Sequence, residues 1–416
     1  MTAAAPEGAA TEVGAAPRVL MARGPFKDLP REVGVLSAVA FFVALGFGIV
    51  APAIPVFARH FGVSRTAAGA VISAFALMRL VSALGVGRLV NRIGARLVLG
   101  TGIVVVAVSS ALAGLAQSYG QLIVLRGVGG VGSAMFTVSA SAVLLGATES
   151  SERGRSMGAF SGGFLVGGIA GPALGGVVTG ISLRAPFFLY AGTLAAAGGV
   201  GVLLLPRKAK GAAATTATKA EPALDLRSAF RLPAFRAAAA ANLADSWASL
   251  GVRSSLVPLF VTEGLHEKPW VTGAGFVVFT AGNVLTLTLG GRTADKRGRK
   301  PLLIGGCLGA AAGTGLLVFP PSLPLYFLGL LVFGLGSGLL DVAPGAMLGD
   351  VTGGQGGTVI AAFQMAGDVG SLSGPLLAGA LADAFSFGAG FGATAAILAI
   401  AGFLAALAPE TLTREG

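Results

Sequence analysis

Long apolar segments alternate with short polar connections along almost the whole chain. A helix needs about 20 apolar residues to cross a bilayer. Twelve segments reach that length, at residues 34–57, 67–89, 97–117, 121–145, 155–180, 186–206, 236–262, 270–292, 301–319, 324–346, 357–382 and 386–408. The pattern predicts an all-α membrane protein with twelve transmembrane helices, which we name spans 1 to 12 in chain order.

A glycine- and charge-rich string occurs twice, after span 2 at residues 87–96 and after span 8 at residues 291–300. The second copy lies 204 residues after the first, and a fixed offset near half of the chain length indicates a duplicated architecture. We therefore predict two six-helix halves, at residues 34–206 and 236–408. Related halves of a membrane protein commonly build one binding site at their interface.

Three polar stretches flank or join these halves. Residues 1–33 contain no apolar core of the signal-peptide type and are predicted to form a disordered cytoplasmic tail. Residues 207–235 form the only long internal connection and are predicted to be a cytoplasmic linker with an amphipathic, interfacial end. Residues 409–416 are predicted to form a second cytoplasmic tail.

The composition supports the membrane class and excludes several others. Hydrophobic residues make up 54% of the chain and charged residues 11%, with a mean hydropathy of +0.83. A soluble chain of this size has about a quarter of its residues charged. One cysteine allows no intrachain disulfide, and two histidines leave little material for a metal site. No P-loop string occurs, so ATP is not the expected source of energy. The sequence offers no catalytic constellation, so we expect no enzymatic activity, and no cofactor beside the proton as coupling ion.

The basic residues indicate the topology. With the N-terminus inside, 22 of the 29 basic residues fall in cytoplasmic segments or at their span ends, and four fall in outer connections. This asymmetry is what the positive-inside rule predicts, and it places both termini in the cytoplasm. Because the net charge of +11 is spread over these connections, nucleic acid is not an expected partner. The expected partners are the lipid bilayer, protons and a small molecule, and we expect a monomer.

Three further strings fall at fixed places in the first half. Span 1 ends with Leu-Gly, Pro52 and Pro55, span 4 carries Arg126 before a glycine string, and span 5 carries a long glycine string around Pro172. With the string after span 2, these motifs resemble the major facilitator superfamily, and within it the twelve-span drug:proton antiporters. The resemblance covers all twelve spans. It implies two six-helix halves around a central cavity that spans 1, 4, 7 and 10 line.

The resemblance also assigns expected roles. Candidate cavity residues are Phe47, Phe136, Trp247 and Asp341, together with Arg126, Asp245 and Arg253. Residues of span 5 are expected to bend or thin the helix so that it can rock, or simply to pack tightly: Gly167, Gly171, Pro172 and Gly175. Residues of the repeated string are expected to latch the halves in the outward-open state, or only to set topology: Gly87, Asn91, Arg92, Arg96, Asp295 and Arg299. Asn91 stands where the superfamily has an acid, so the first latch is expected to be weaker.

Ionisable groups inside the spans are candidates for proton coupling, because each costs about 2.5–3.5 kcal/mol to insert. The candidates are Asp245, Asp368, Arg126 and Arg253, and no acid lies inside spans 1 to 6. Asp245 and Arg253 are about 80° apart around a regular helix and roughly 12 Å apart along it, too far for a direct pair. The alternatives are a helix-to-helix strut for Arg126 and a fixed hydrogen-bond acceptor for Asp368. A cationic substrate could compete with a proton for one carboxylate.

These features predict a bacterial cytoplasmic-membrane transporter that exports a small organic molecule in exchange for protons by alternating access. Proton-coupled or facilitated movement of a sugar or another metabolite is the alternative within the same class. A non-transporting membrane sensor or scaffold is the alternative of a different class. The substrate itself is not readable from the sequence.

Overall fold

The computed structural model describes residues 30–148, 153–204, 226–352 and 357–412. At residues 84, 145, 153–154, 202, 291–297 and 357 the description covers the backbone alone. Most of the two predicted tails and the start of the linker lie outside these residues.

The described residues form helices at all twelve predicted places. Nine spans are single helices: Arg65–Ile93, Ala95–Gly114, Tyr119–Ala147, Arg153–Ile181, Ala185–Leu204, Trp270–Arg297, Arg299–Leu316, Gly357–Ala384 and Phe387–Leu407. Span 1 is divided into Arg31–Val50 and Ala53–Arg59, and span 10 into Leu323–Leu340 and Ala343–Thr352. Span 7 consists of four consecutive segments, Pro233–Asp245, Ser246–Val252, Arg253–Leu259 and Phe260–Gly264.

Eight of the described helical segments are long and apolar enough by themselves to cross a membrane. These are spans 1, 2, 3, 4, 5, 8, 10 and 12. The other four are shorter, interrupted or more polar: span 9 begins with Arg299 and Lys300, and span 11 contains Asp368. The all-α prediction with twelve spans in two halves agrees with this architecture.

The interruptions follow from the local sequence. Pro52 has no backbone N–H and lies at the division of span 1. Asp341 precedes the short second segment of span 10, in which Pro344 is near the start. Two stretches of span 7, at Ser246–Val252 and Phe260–Gly264, have the wider π-type turn, a feature that is frequent at functional sites.

Glycines of span 5 bring it into backbone contact with span 1. A Cβ atom added at Gly171 would lie 2.6 Å from the Leu45 carbonyl oxygen, and one added at Gly163, Gly167 or Gly175 would also overlap a span 1 carbonyl. These positions recur every four residues and so lie on one helix face. The tight-packing interpretation of the glycine string therefore describes this interface.

The second half repeats that interface. Gly251 in span 7 lies against Gly374 and Pro375 in span 11, as Gly48 in span 1 lies against Gly171 and Pro172 in span 5. The equivalent positions are 203 residues apart, one residue less than the 204-residue spacing of the repeated sequence strings. Each half has its own hydrophobic core.

The predicted boundaries shift by a few residues. Span 7 begins at Pro233, so the linker ends before residue 235. Within the predicted amphipathic end of the linker, Leu226–Arg231 is a short helix with Ala229 buried and Phe230 half exposed. The segment 408–412 is irregular and packs against the start of span 9 through Glu410.

Candidate functional site

A cavity of about 340 Å³ lies between the two halves. This volume is within the usual range for small-molecule sites, about 300–1,000 Å³. Its polar lining includes three arginines, Arg79, Arg126 and Arg253. Its apolar lining includes the aromatic side chains of Phe47, Phe75, Phe136, Phe164, Tyr190 and Phe276.

The lining differs in part from the expectation for spans 1, 4, 7 and 10. Spans 1, 4 and 7 contribute, and so do spans 2, 5, 6, 8 and 11. Four of the predicted cavity residues are in the lining: Phe47, Phe136, Arg126 and Arg253. No described residue of span 10 is in it.

The halves are joined by polar contacts at the end of the bundle that carries the connection 60–64. Arg59 and Arg65 each place Nε against Glu263, at 2.6 and 2.9 Å. The Asp383 carboxylate accepts hydrogen bonds from the backbone N–H groups of Arg65 and Thr66 and from the Thr66 hydroxyl. We call this end of the bundle the closed end, and the end that carries residue 30 the terminal end.

Spans 2 and 11 are antiparallel neighbours, and polar contacts between them extend from the closed end towards the middle of the bundle. Ser73 donates to the Leu372 carbonyl oxygen at 2.7 Å, and Arg79 pairs with Asp368 at 2.9 Å. The other hydrogen bonds described between the halves lie nearer the closed end. The polar contacts described between the halves are therefore concentrated at the closed end.

Arg126 enters the cavity from span 4. Its side chain is 2% exposed, and its guanidinium carbon lies 4.5 Å from the centre of the Phe75 ring. The Nε atom is buried and has no hydrogen-bond partner. An arginine buried in this way is costly unless something compensates its charge.

Arg253 enters the same cavity from span 7 at the end of the first π-type stretch. Its guanidinium carbon lies 4.8 and 4.4 Å from the ring centres of Phe276 and Phe279. Its Nε donates to the Ser249 carbonyl oxygen at 3.1 Å. No ion pair with Asp245 forms, in agreement with the distance expected from the sequence.

Asp245 accepts hydrogen bonds from two serines behind the cavity lining. The Ser249 hydroxyl donates to Oδ1 at 3.1 Å, and the Ser337 hydroxyl of span 10 donates to it at 2.8 Å. Ser249 therefore connects Asp245 with Arg253, since its hydroxyl contacts one residue and its carbonyl oxygen the other. Neither serine was singled out from the sequence, although both lie one helical turn from a candidate acid.

Two further predicted cavity residues lie elsewhere. Trp247 is 5% exposed and donates from its indole nitrogen to Thr394 of span 12 at 3.2 Å, so it packs inside the second half. Asp341 lies at the division of span 10 and accepts a hydrogen bond from Asn283 of span 8 at 2.8 Å. Neither residue is among the described residues that line the cavity, so their part in substrate binding stays a prediction.

Asp368 has a fixed partner in the other half. Its pair with Arg79 matches the hydrogen-bond-acceptor alternative for this residue. Arg79 lies inside span 2 and was not predicted from the sequence to be a cavity residue. Because the partners are 289 residues apart in sequence, no local pattern could have joined them.

The repeated strings lie at the terminal end. Asn91 and Arg92 are exposed, and the described contacts do not connect either one to the second half. Arg96 is partly buried, and Gly87 has open space around it. The side chain of Asp295 lies outside the described residues. The latch therefore stays a prediction.

The start of span 9 has a partner of its own. The Glu410 carboxylate accepts the backbone N–H groups of Arg299 and Lys300, and the Arg299 guanidinium lies 3.3 Å from Asp350. An acid at a helix N-terminus is favoured by the helix dipole. Partial burial raises the pKa of Glu410, but the backbone N–H groups of Arg299, Leu412, Lys300 and Thr411 lower it further, so the pKa is below its ordinary value.

Two related halves of six helices around one cavity define the architecture of a large class of membrane transporters. The Major Facilitator Superfamily matches this chain over residues 36–266 and 246–415. The chain belongs to that superfamily.

Two drug-resistance proteins are similar to this chain in sequence. The chain is 26% identical to the quinolone resistance protein NorA of Staphylococcus aureus over 194 residues, which are 47% of this chain and 50% of NorA. It is 30% identical to multidrug resistance protein 2 of Bacillus subtilis (strain 168) over 154 residues, 37% of this chain and 38% of that protein. The chain thus spans half or less of the length of these curated relatives.

A solved structure shows the same fold. It is a bacterial homologue of the human lysosomal transporter Spinster, in an inward-facing and unoccupied conformation. Its TM-score is 0.73 at 15% identity, covering 91% of this chain and 97% of that one.

Proposed function

We propose that this protein is a secondary active transporter that exports a small organic molecule in exchange for protons. The observation that carries the proposal is the cavity between the halves, with the described polar contacts between them concentrated at the closed end. A site that opens to one side at a time is what alternating access requires. With both termini in the cytoplasm, the closed end faces outward and this conformation is inward-facing.

Export is favoured over uptake by two lines of argument. Two relatives are named as drug-resistance proteins, and the similarity to them covers about half of their length or less. The span 5 glycine string, typical of antiporters by resemblance, packs its backbone onto span 1 with no side chain between. Such a thin contact allows one helix to rock against another with few side chains to rearrange.

The proton gradient supplies the energy in this proposal. One proton that moves inward gains about 2.3 kcal/mol per 100 mV of membrane potential. Asp245 is the proposed proton carrier, because it lies next to the cavity without a salt-bridge partner and Ser249 connects it to Arg253. Asp368 is the weaker candidate, because Arg79 already neutralises it.

Transport in liposomes tests the proposal. Purified protein would be reconstituted and given an imposed pH gradient with a fluoroquinolone, a permanent cation such as ethidium and a neutral drug. We expect gradient-driven flux of at least one compound, and loss of the gradient dependence in Asp245→Asn but not in the matched control Glu267→Gln at the closed end. Flux that ignores the gradient for every compound that moves would refute proton coupling.

Co-transport of an acidic substrate with a proton is a second candidate, and the Arg253–Ser249–Asp245 connection favours it. A negative substrate group at Arg253 would offset the positive charge that stabilises ionised Asp245. Substrate and proton would then bind together rather than displace each other. The direction of proton movement during substrate flux, recorded with a pH dye inside the liposomes, separates the two candidates.

The topology on which the inward-facing assignment depends has its own test. A reporter enzyme that is active only in the cytoplasm, fused after Gly416, should be active. A fusion that is active only in the periplasm would reverse the orientation and turn the closed end towards the cytoplasm.

A further inference from the structure

Two arginines face the same cavity from opposite halves, and neither forms an ion pair with a described carboxylate, although Asp245 and Asp341 interact electrostatically with Arg253 over a longer distance. Arg126 comes from span 4 and Arg253 from span 7, and both are in the lining. The described ion pairs include neither residue. Each is instead placed over phenylalanine rings, at 4.4 to 4.8 Å from the ring centres.

The third arginine of the lining shows the contrast. Arg79 pairs with Asp368 at 2.9 Å, so its charge is neutralised in the protein itself. Arg126 has no such neighbour, and its Nε is buried without any acceptor. Ring faces attract a cation only by about 0.5–2 kcal/mol, which does not replace a carboxylate. A buried, unsatisfied donor on a cavity wall is best explained by an acceptor that a ligand brings.

The lining is also one-sided in charge. No aspartate or glutamate is among the described residues that line the cavity. Asp245, the nearest acid on span 7, is held by Ser249 and Ser337 behind the wall. A cationic substrate would therefore meet positive charge and no carboxylate in the lining, whereas an anionic group would meet the guanidinium groups of Arg126 and Arg253. Of these two, Arg253 also interacts electrostatically with Asp245 and Asp341 outside the lining.

The remainder of the wall is apolar and aromatic. The rings of Phe47 and Phe75 are tilted against each other with 6.4 Å between ring centres, and those of Phe136 and Phe164 with 6.2 Å. Such surfaces bind a flat, hydrophobic body through area and ring contacts. The site thus combines a cationic part with an aromatic part.

We infer that the transported substrate is an amphipathic organic anion, whose carboxylate or similar acidic group binds between Arg126 and Arg253 while its aromatic body lies against the phenylalanines. The inference rests on the proposed function only in taking this cavity as the substrate site. It holds for export and for co-transport alike. It replaces the expectation of a cation that competes with a proton for one carboxylate.

Binding of three analogues with one aromatic body tests this inference: 2-naphthoate, neutral 2-naphthamide and cationic 2-naphthylmethylamine. Binding would be measured by calorimetry on the full chain in lipid nanodiscs, with empty nanodiscs as the blank. We expect the anion to bind at least about tenfold more tightly than either analogue, equal to about 1.4 kcal/mol.

Single substitutions test whether Arg126 and Arg253 cause the preference for the anion. Arg126→Gln and Arg253→Gln should each remove most of the preference for the anion, and Arg126→Lys should restore part of it, because lysine keeps the charge but not the bidentate geometry. Arg184→Gln, at an arginine in the connection after span 5, is the matched control and should keep the preference. Size-exclusion profiles and melting temperatures show which variants are folded, and Arg126→Lys provides the comparison if Arg126→Gln is not.

The outcomes separate this inference from the proposed function. Equal or tighter binding of the amide or the amine overturns the inference, and so does an anion preference that survives in both folded glutamine variants. No detectable naphthoate binding at millimolar concentration overturns it too. Anion-selective binding without proton-driven flux of any acid supports the inference and contradicts the proposed function. Proton-driven flux of ethidium without naphthoate binding supports the proposed function and overturns the inference.

Discussion

Removal of the charge on Glu263 should open the closed end. Glu263 is the common partner of Arg59 and Arg65, which belong to the other half, and the three side chains are 23–33% exposed. An exposed pair contributes about 0.2–1 kcal/mol, and partial burial places these two near the upper limit. Glu263→Gln should therefore cost the closed state about 1–2 kcal/mol, which changes the ratio of closed to open molecules about five- to thirtyfold.

Cysteine labelling measures this change. Leu259 is 1% exposed and belongs to the second half, yet it packs in the hydrophobic core of the first half near the closed end. A cysteine at this position should react with a maleimide only when the halves separate there. The native Cys307 is 0% exposed and contributes little background. We expect Leu259→Cys to be labelled about five- to thirtyfold faster when combined with Glu263→Gln.

The control is a second acid in the same connection. Glu267 has no ion pair among the described residues, so Glu267→Gln removes the same charge without breaking a contact between the halves. Labelling at an unchanged rate in Glu263→Gln, or an equal increase in Glu267→Gln, would show that these ion pairs do not hold the closed end together.

Three further predictions concern packing, pH and the latch. Gly167→Ala should lower the melting temperature, at a cost of about 1–3 kcal/mol, because its Cβ would overlap a span 1 carbonyl, whereas the adjacent Gly168→Ala meets open space and should not. The pKa of Glu410 is lowered, so its contribution to docking of the C-terminal segment should be complete above its ordinary value of 4.5 and lost as the pH falls through the lower folded value. Hydrogen exchange at the start of span 9 would show this, and Glu410→Gln should raise exchange at neutral pH. Asp295→Asn should impair transport more than Asn91→Ala does, and equal tolerance at normal expression would remove the latch hypothesis.

Sequence reasoning reached the fold because its signals are local. The length of an apolar run determines whether a helix can cross a bilayer, and the repeat of one string indicated two halves before any contact was known. Arg126, Arg253, Phe47 and Phe136 were identified as cavity candidates through the resemblance of their spans to those of a known family. Their position in the lining depends only on which face of each helix turns inward.

The local sequence pattern did not predict the irregular helix geometry of span 7. A regular helix was assumed when Asp245 and Arg253 were compared, but the π-type stretch between them changes the turn per residue. Trp247 lies in that stretch and donates a hydrogen bond to Thr394 of span 12. The sequence carries no clear mark for this irregularity, since its residues are compatible with an α-helix.

The sequence by itself determined the class of protein, the number of spans and the duplicated plan. Only the tertiary structure decided which charges are neutralised: Asp368 pairs with Arg79 across 289 residues, Glu263 pairs with Arg59 across 204, and Arg126 pairs with no acid. The physical reason is that helix formation depends on neighbours along the chain, whereas an ion pair depends on the rotation and tilt of two helices packed against each other. The charge of the cavity wall is set by those rotations.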